Sequence, residues 1–209
     1  MRYIISIFIF LYASSLAFSQ SEVYKVGFLL DKNTEEIEGL LDSLMDEISA
    51  VVGEDAILEF PITRRFYNNF DATIALSNYT TLVQNDTDII IAFGTVNNSV
   101  ISKIGTYQKP TIVFGTLSEE LLDSDKSSVS NVTNYISITT SQSYSDDIKL
   151  FKELANPKRI GVVVEKALLD NISVTETFEG IGTDLNIEMT IIPFESLTDI
   201  ISNLNTIDG

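Results

Sequence analysis

The stretch Asp88-Ile-Ile-Ile-Ala-Phe-Gly-Thr95 decides the fold class of this chain. Its unbroken apolar run predicts a strand that is apolar on both faces, as a parallel sheet covered by helices requires. Gly94 permits a tight turn, and a helix is predicted from about Val96 to Tyr107. The stretch Pro110-Thr-Ile-Val-Phe-Gly-Thr116 then repeats the plan of a buried strand that ends in Gly-Thr. The repetition predicts a parallel sheet whose strands are connected through helices.

Upstream of this stretch the same alternation is present. Tyr24 to Leu30 and Ala56 to Phe60 are predicted strands. The helix between them begins at a Thr34 cap, carries an apolar residue at every third or fourth position, and ends at Gly53. These elements extend the α/β pattern to the start of the region after Gln20.

The region before Asp88 contains a segment with no clear period and then a helix. Ile62 to Asn69, which includes Arg64 and Arg65, is predicted to be a surface loop. A helix is predicted from Asp71 to Val83. Its expected packing residues are Ile74, Leu76, Tyr79, Leu82 and Val83.

Downstream of Thr116 the alternation stops and later restarts. Ser118 to Asn134 is polar and has no sustained apolar period, which is typical of a segment that crosses between domains. Beyond it, strands are predicted at Tyr135–Ile138, Arg159–Val164 and Ile187–Ile192, and helices at Ser143–Leu154, Ala167–Ile181 and Ser196–Leu204.

This rhythm predicts two α/β lobes behind an export signal. The divisions are a signal peptide at 1–19, a first lobe at 20–117, the crossing segment at 118–134 and a second lobe at 135–209. The second lobe ends just after a helix whose partner strand is expected next, so we expect this lobe to be truncated.

The amino terminus has the three parts of a secretory signal. Arg2 supplies the positive charge, Ile4–Leu11 is an apolar run too short to span a bilayer, and Ala17 and Ser19 suit a peptidase. The alternative is an uncleaved anchor helix. We expect cleavage before Gln20, export from the cytoplasm and no membrane insertion of the mature chain.

Composition excludes several function classes. The formal net charge is −17, which opposes binding to nucleic acid or anionic lipids. The chain has no His and no Cys, so the usual nucleophile–base pairs and zinc ligands are missing. No Gly-rich phosphate loop follows the first strand. We therefore expect no enzyme, metal or cofactor, and a carboxylate-only hydrolase or isomerase is the weaker alternative.

Four segments carry a resemblance to a known family: Val26-Gly-Phe-Leu-Leu-Asp31, Asp88 to Thr95, Lys109-Pro-Thr-Ile-Val-Phe-Gly-Thr116 and Ile160-Gly-Val-Val-Val164. In this order they resemble the extracytoplasmic solute-binding proteins of ABC transporters, from about Tyr24 to the end. The similarity is greatest to bacteroidete versions encoded beside outer-membrane efflux channels. It implies two Rossmann-like lobes of a type I periplasmic binding protein, and a periplasmic location.

The resemblance implies a function with one alternative. The chain is expected to bind a small polar or amphipathic solute between its lobes and to serve a membrane transporter. The alternative is a non-enzymatic envelope protein that associates with an efflux system and binds no solute. The turn Gly-Thr-Val-Asn-Asn-Ser after Phe93 departs from the Ser, Thr and Ala that many members place there, which leaves the ligand class open.

Ligands of such folds bind at the carboxyl ends of the strands, in the crevice between lobes. Backbone amides near Val96 to Asn98 are predicted to point at an anion, because a helix begins there. The candidate ligand-binding residues are Asp31, Gly94, Thr95, Asn97, Ser99, Gly115, Thr116, Ser141 and Gln142.

Each candidate also has a structural interpretation. Thr95 is equally suited to cap its own helix, and Ser141 and Gln142 to belong to the cap of the next. Asp31 either orients a ligand ammonium or is a solvated carboxylate at a strand end. Arg64 and Arg65 either clamp a ligand carboxylate or face water.

Overall fold

The computed structural model describes residues 22–114, 132–138, 143–169, 171–196 and 198–202. The predicted signal peptide, residues 118–131 of the crossing segment, and the candidates Gly115, Thr116, Ser141 and Gln142 lie outside the described residues.

A six-stranded parallel sheet forms the first unit of the structure. Its strands are β1 (Glu22–Leu30), β2 (Ala56–Glu59), β3 (Arg65–Tyr67), β4 (Ile89–Phe93), β5 (Thr111–Phe114) and β6 (Tyr135–Ile138). The central order is β2-β1-β4-β5-β6. On the outer side of β1, β2 pairs with its earlier part and β3 with its later part. In the register of the sheet, Ile89 lies opposite Val26 and Thr111 opposite Ile90.

Among the described residues, three helices pack on this sheet: α1 (Glu35–Val52), α2 (Ala72–Gln84) and α3 (Thr95–Ile101). The predicted cap of α1 is confirmed, since Thr34 Oγ1 accepts a hydrogen bond from the Ile37 amide at 3.3 Å. The predicted stop is confirmed too, because Gly53 takes a φ of 59°.

The core occupies both faces of the sheet, as the apolar run of β4 predicted. Along β1, Phe28 and Leu30 pack with α1, while Leu29 between them packs with α2 and α3 on the other face. On β4, Ile91 faces α1 and Ile90 faces the opposite side. This two-sided burial fixes the register of the sheet, since a shift of one residue would exchange the two sets.

The loop prediction for Ile62–Asn69 is wrong. A short 3-10 turn at Ile62–Arg64 leads into β3, which pairs with Phe28–Leu30 of β1. Asn68, which follows β3, is almost completely buried. The strand has only three residues and no alternation of its own, so its pairing comes from tertiary contact with β1.

The predicted placement of Tyr135–Ile138 in the second lobe is also corrected, because this strand pairs with β5 in the first sheet. A parallel neighbour needs a connection of about a dozen residues or more. The polar stretch before Tyr135 is long enough to be that connection. Its polarity was therefore no sign that the chain had already left the first sheet.

The helix predicted up to Tyr107 is shorter, and α3 ends at Ile101. Tyr107 is instead a core residue. Its ring stacks on Tyr135 with centroids 4.4 Å apart, and its hydroxyl donates to the Ile101 carbonyl at 2.6 Å. Gly105, with a φ of 79°, makes the turn that brings the ring there.

A two-stranded parallel sheet forms the second unit, from β7 (Arg159–Glu165) and β8 (Glu188–Phe194). Its helices include α4 (Tyr144–Ala155), α5 (Lys166–Leu169) and α6 (Val174–Leu185). The helix predicted at 167–181 is thus two helices. Residues 198–202 are helical as well, within the range where a helix was predicted from Ser196 to Leu204. Val174, Phe178 and Ile181 of α6 form the centre of its core. Throughout the ranges described, the structure contains no helix long and apolar enough to cross a membrane.

Helix α2 confirms three of its five predicted packing residues, since Tyr79 and Leu82 are buried and Val83 packs against the same core. The predictions for Ile74 and Leu76 are wrong. Ala75, Tyr79 and Leu82 are buried, whereas Ile74 and Leu76 are 41 % and 47 % exposed. The buried set follows the steps of four and three residues that one helical face requires. Ala75 was missed because a small side chain gives a weak apolar signal.

This face assignment gives a first prediction from two leucines of one helix. Leu82→Ala removes a completely buried side chain, and we expect it to lower the free energy of unfolding by about 2–5 kcal/mol. Leu76→Ala is the matched control and should cost less than about 1 kcal/mol. Urea unfolding followed by circular dichroism measures both. Equal losses would contradict the face assignment.

Candidate functional site

The carboxylate of Asp31 is the centre of the site at the carboxyl ends of β1 and β4. Asp31 follows β1 directly and is only 8 % exposed. Its Oδ2 accepts a hydrogen bond from the Val96 amide at 2.9 Å, and its Oδ1 accepts one from the Asn97 amide at 3.1 Å. Oδ1 also accepts from Nδ2 of Asn68 at 2.8 Å. Asp31 is therefore not a solvated carboxylate, and its role towards a ligand stays a prediction.

The prediction of amides that point at an anion is correct in geometry and wrong in the identity of the anion. The amides of Val96 and Asn97 donate to the chain's own carboxylate. A buried carboxylate at a helix start satisfies amides that have no partner within the helix. A ligand anion at these two amides would have to displace Asp31.

Thr95 does not cap its helix, which corrects that interpretation. The cap residue of α3 is Gly94, which has no side chain to accept a hydrogen bond. Gly94 has a φ of 107°, and a Cβ there would lie 2.4 Å from the Asp31 carboxyl group. Glycine is thus required twice, for its backbone conformation and for the close approach of the carboxylate. Asp31 caps α3 from another strand.

Burial raises the pKa of Asp31 above its ordinary value of 3.8, because desolvation penalises the charged form. The hydrogen bonds from Asn68, Val96, Asn97 and Thr95 act in the opposite direction and offset part of this effect. These donors hold the carboxyl group in one place at the start of α3.

Asn97 is the candidate residue whose side chain has an unused hydrogen-bonding group. Its Nδ2 donates to the Phe93 carbonyl at 2.8 Å, so its amide lies at the carboxyl end of β4. Its Oδ1 is buried and has no hydrogen-bond partner in the part of the chain that the structure describes. The neighbouring Asn98 is completely buried, and neither of its side-chain polar atoms has a partner within those residues. Such groups are rare in folded proteins and call for an explanation.

Ser99 connects the two units. Its hydroxyl donates to the backbone carbonyl of Asn171 at 2.7 Å. Asn171 lies between α5 and α6 of the second unit, and its Nδ2 donates to the Phe70 carbonyl of the first unit at 3.1 Å. On the same side, Lys32 lies 3.8 Å from Glu165. The carboxyl ends of the two sheets therefore face each other across direct contacts.

Three residues of this site were missed by the sequence analysis: Asn68, Phe70 and Asn171. Asn68 and Phe70 fell in or beside the segment interpreted as loop. Asn171 fell within the helix predicted from Ala167 to Ile181. A run of Asn-Asn-Phe-Asp71 directly after a short strand was the available signal, since Asn tolerates the left-handed backbone that Asn69 adopts.

Neither predicted role of Arg64 and Arg65 is found, because both side chains are mostly buried and paired within the first unit. Arg64 pairs with Asp86, and Arg65 Nη1 donates to Glu38 at 3.1 Å. Hydrogen bonds from Lys25 and Arg64 lower the pKa of Asp86 to about 2. Within the ranges described, no three acidic residues lie together in a way that could hold a metal ion.

The fold of this chain is similar to the folds of several solved structures. No protein-family model and no curated protein matches the sequence. A conserved domain protein from Vibrio cholerae matches with a TM-score of 0.60 and 18 % identity, over 88 % of this chain and 62 % of that one. A fatty acid ABC transporter substrate-binding protein from Thermomonospora curvata matches with a TM-score of 0.59 and 16 % identity, over 90 % and 49 %. An ABC domain in complex with L-Trp from Streptococcus pneumoniae matches with a TM-score of 0.58 and 14 % identity, over 87 % and 61 %.

These likenesses establish the fold class. The chain has the α/β fold of the ABC-transporter substrate-binding proteins, the type I periplasmic-binding-protein fold, as its sequence predicted. Sequence identities this low indicate a shared fold but not a shared activity. The chain spans between about half and three fifths of the length of the three structures.

The internal carboxylate gives a second prediction. Asp31→Ala leaves the amides of Val96 and Asn97 without an acceptor, and we expect a loss of about 3 kcal/mol in unfolding free energy. Formate fits the space that the carboxyl group leaves and should restore part of this loss as its concentration rises. Thermal unfolding in sodium formate, against equal sodium chloride, measures the effect.

The matched control is Asp71→Ala. Asp71 caps α2 through two backbone amides, but its site is exposed to water. This variant should lose about 1 kcal/mol and should show no specific recovery in formate. Equal recovery of both variants would contradict the assignment of an enclosed anion site to Asp31.

The raised pKa of Asp31 gives a third prediction, on pH. The folded protein binds the Asp31 proton more tightly than the unfolded chain does. The contribution of this proton to the free energy of unfolding is therefore fully present below pH 3.8 and is lost as pH rises through the raised pKa of Asp31. The unfolding free energy of the wild type minus that of Asp31→Asn should therefore fall as pH rises above about 4 and then level off. Carbon NMR of the Asp31 carboxyl group gives its pKa directly. A midpoint below 3.8 would contradict the direction.

Proposed function

We propose that this protein binds a small polar or amphipathic solute in the crevice between its two units and serves an ABC-type transport system outside the cytoplasm. The observation that carries the proposal is the buried amide oxygen of Asn97 at the carboxyl end of β4, which has no hydrogen-bond partner among the residues that the structure describes. This is the edge of a parallel sheet where ligands of open α/β folds bind.

The chemistry of the crevice favours a solute that donates hydrogen bonds. A buried acceptor without a partner lowers stability, and a ligand N–H or O–H at Asn97 Oδ1 removes that penalty. Asp31 already holds the neighbouring amides, and its charge opposes a second carboxylate at the same place. An uncharged or cationic donor group is therefore the best match for this part of the crevice.

The comparisons support the proposal through their fold. Two of the matching structures are described as a fatty acid transporter's substrate-binding protein and a domain in complex with L-Trp. These ligands have a large apolar part, and tryptophan also has N–H donors. A polar or amphipathic solute is consistent with both. The accompanying proposals are a signal peptide at 1–19, export to a periplasm and a membrane transporter or efflux component as partner.

A fourth prediction tests solute binding. Thermal shift against amino acids, aromatic acids, fatty acids, nucleosides and sugars should show a rise in melting temperature with one class, which grows with ligand concentration. Asn97→Ala should lower the affinity for that class of solute by about tenfold, because one hydrogen bond to a buried group is lost. The rise in melting temperature at a given ligand concentration should fall accordingly.

The matched control is Asn78→Ala. Asn78 also donates its Nδ2 to a backbone carbonyl, that of Tyr67 at 3.2 Å, within the first unit. This variant should bind the solute as the wild type does. A flat response of the wild type across the panel, with an envelope partner recovered by cross-linking, would overturn solute binding in favour of the interaction protein.

A further inference from the structure

A continuous ring of hydrogen bonds joins the two units at their facing edges. Within the first unit, Asn68 donates through Nδ2 to Asp31 at 2.8 Å and accepts through Oδ1 from the Phe70 amide at 2.7 Å. The carbonyl of Phe70 then accepts from Nδ2 of Asn171 at 3.1 Å. Nδ2 of Asn171 also donates to the Ala167 carbonyl of its own unit at 2.9 Å. An amide nitrogen has two N–H groups, so this bond and the bond to Phe70 do not compete.

The ring returns to the first unit through α3. The carbonyl of Asn171 accepts from the Ser99 hydroxyl at 2.7 Å. Ser99 belongs to the helix whose first amides donate to Asp31. Asn171 thus closes the ring with two atoms, one from its side chain and one from its backbone.

The turn that presents the Phe70 carbonyl is held in an uncommon backbone conformation. Asn69 and Phe70 have φ angles of 52° and 63°, and a bulky aromatic residue rarely adopts such values. The Asp71 amide donates to the Asn68 carbonyl at 3.0 Å, which fixes the turn from inside the first unit. The carbonyl is therefore presented to Asn171 by a preformed element.

We propose that Asn171 is a latch that holds the two units closed without a solute. Opening of the crevice breaks the bonds from Asn171 to Phe70 and from Ser99 to Asn171 together, because both belong to one residue. The latch makes closure an intrinsic equilibrium of the chain, which a solute shifts only through different affinity for the two states. The inference concerns the free protein and does not depend on solute binding.

The test measures the distance between the units in the free protein. Because the chain contains no cysteine, nitroxide labels attach only at introduced Cys residues. The exposed positions Asp42 on α1 and Glu179 on α6 suit the changes Asp42→Cys and Glu179→Cys. Pulsed electron–electron double resonance then gives the distribution of distances between the two labels. The areas of its peaks give the fractions of closed and open molecules.

The expected result is a narrow distribution for the labelled parent chain. Asn171→Ala and Ser99→Ala should each add a population at a different distance, and the double variant should shift the ratio of closed to open molecules by about tenfold or more. Circular dichroism confirms that each variant is folded. If the double variant does not fold, the two single variants decide the question by the same readout.

The matched control is the double variant Asn78→Ala and Ser102→Ala. It removes an amide-to-carbonyl bond and a hydroxyl-to-carbonyl bond that both lie within the first unit. Its distance distribution should coincide with that of the parent. The latch is overturned if the Ser99 and Asn171 variants leave the distribution unchanged, or if the control opens the units equally. Neither result would bear on solute binding, which the thermal shift measures separately.

Discussion

The carboxylate of Asp31 at the first amides of α3 is the interaction on which the arrangement of this site depends. It connects the end of β1 to the helix that follows β4, two strands that are neighbours in the sheet. Through Asn68 it also fixes the turn after β3. Three chain segments that are remote in sequence are thus held at one point. A charged acceptor in a mostly buried place does this more strongly than a neutral one, because the low dielectric strengthens each hydrogen bond.

This internal carboxylate changes what the crevice offers to a ligand. The start of α3 follows a glycine turn at the strand end, a place where many α/β folds bind an anion. Here the chain supplies the anion itself, and Gly94 has no Cβ that would obstruct it. The unpaired amide groups near this turn, within the described residues, are Asn97 Oδ1 and both side-chain polar atoms of Asn98. Recognition by such groups depends on hydrogen-bond direction and shape more than on charge.

Most of the fold could be predicted from periodicity and caps. β1, β4, β5, α1 and the strands of the second unit carry long apolar patterns that tertiary contacts reinforce. Among the strands, the failures were β3 and the position of β6, both short strands whose place is set by their neighbours. In the site, the sequence identified Asp31 and the amides near Val96 separately. Nothing in a linear sequence indicates that a residue 65 positions away caps a helix, because that depends on strand order.

The ring of hydrogen bonds and the internal carboxylate have a common consequence for dynamics. Hydrogen bonds from Asn68 to Asp31 and from the Phe70 amide to Asn68 hold the turn after β3, and this turn places the Phe70 carbonyl at the edge of the first unit. Asn171 lies between two short helices, in a unit with a two-stranded sheet and a smaller core. Under the proposed latch, separation of the units breaks the contacts of Asn171 with the first unit. A solute of the kind proposed would stabilise the closed state only by bonding to both units. On the first unit, the side chains of Asn97 and Asn98 carry buried polar atoms without a partner among the described residues.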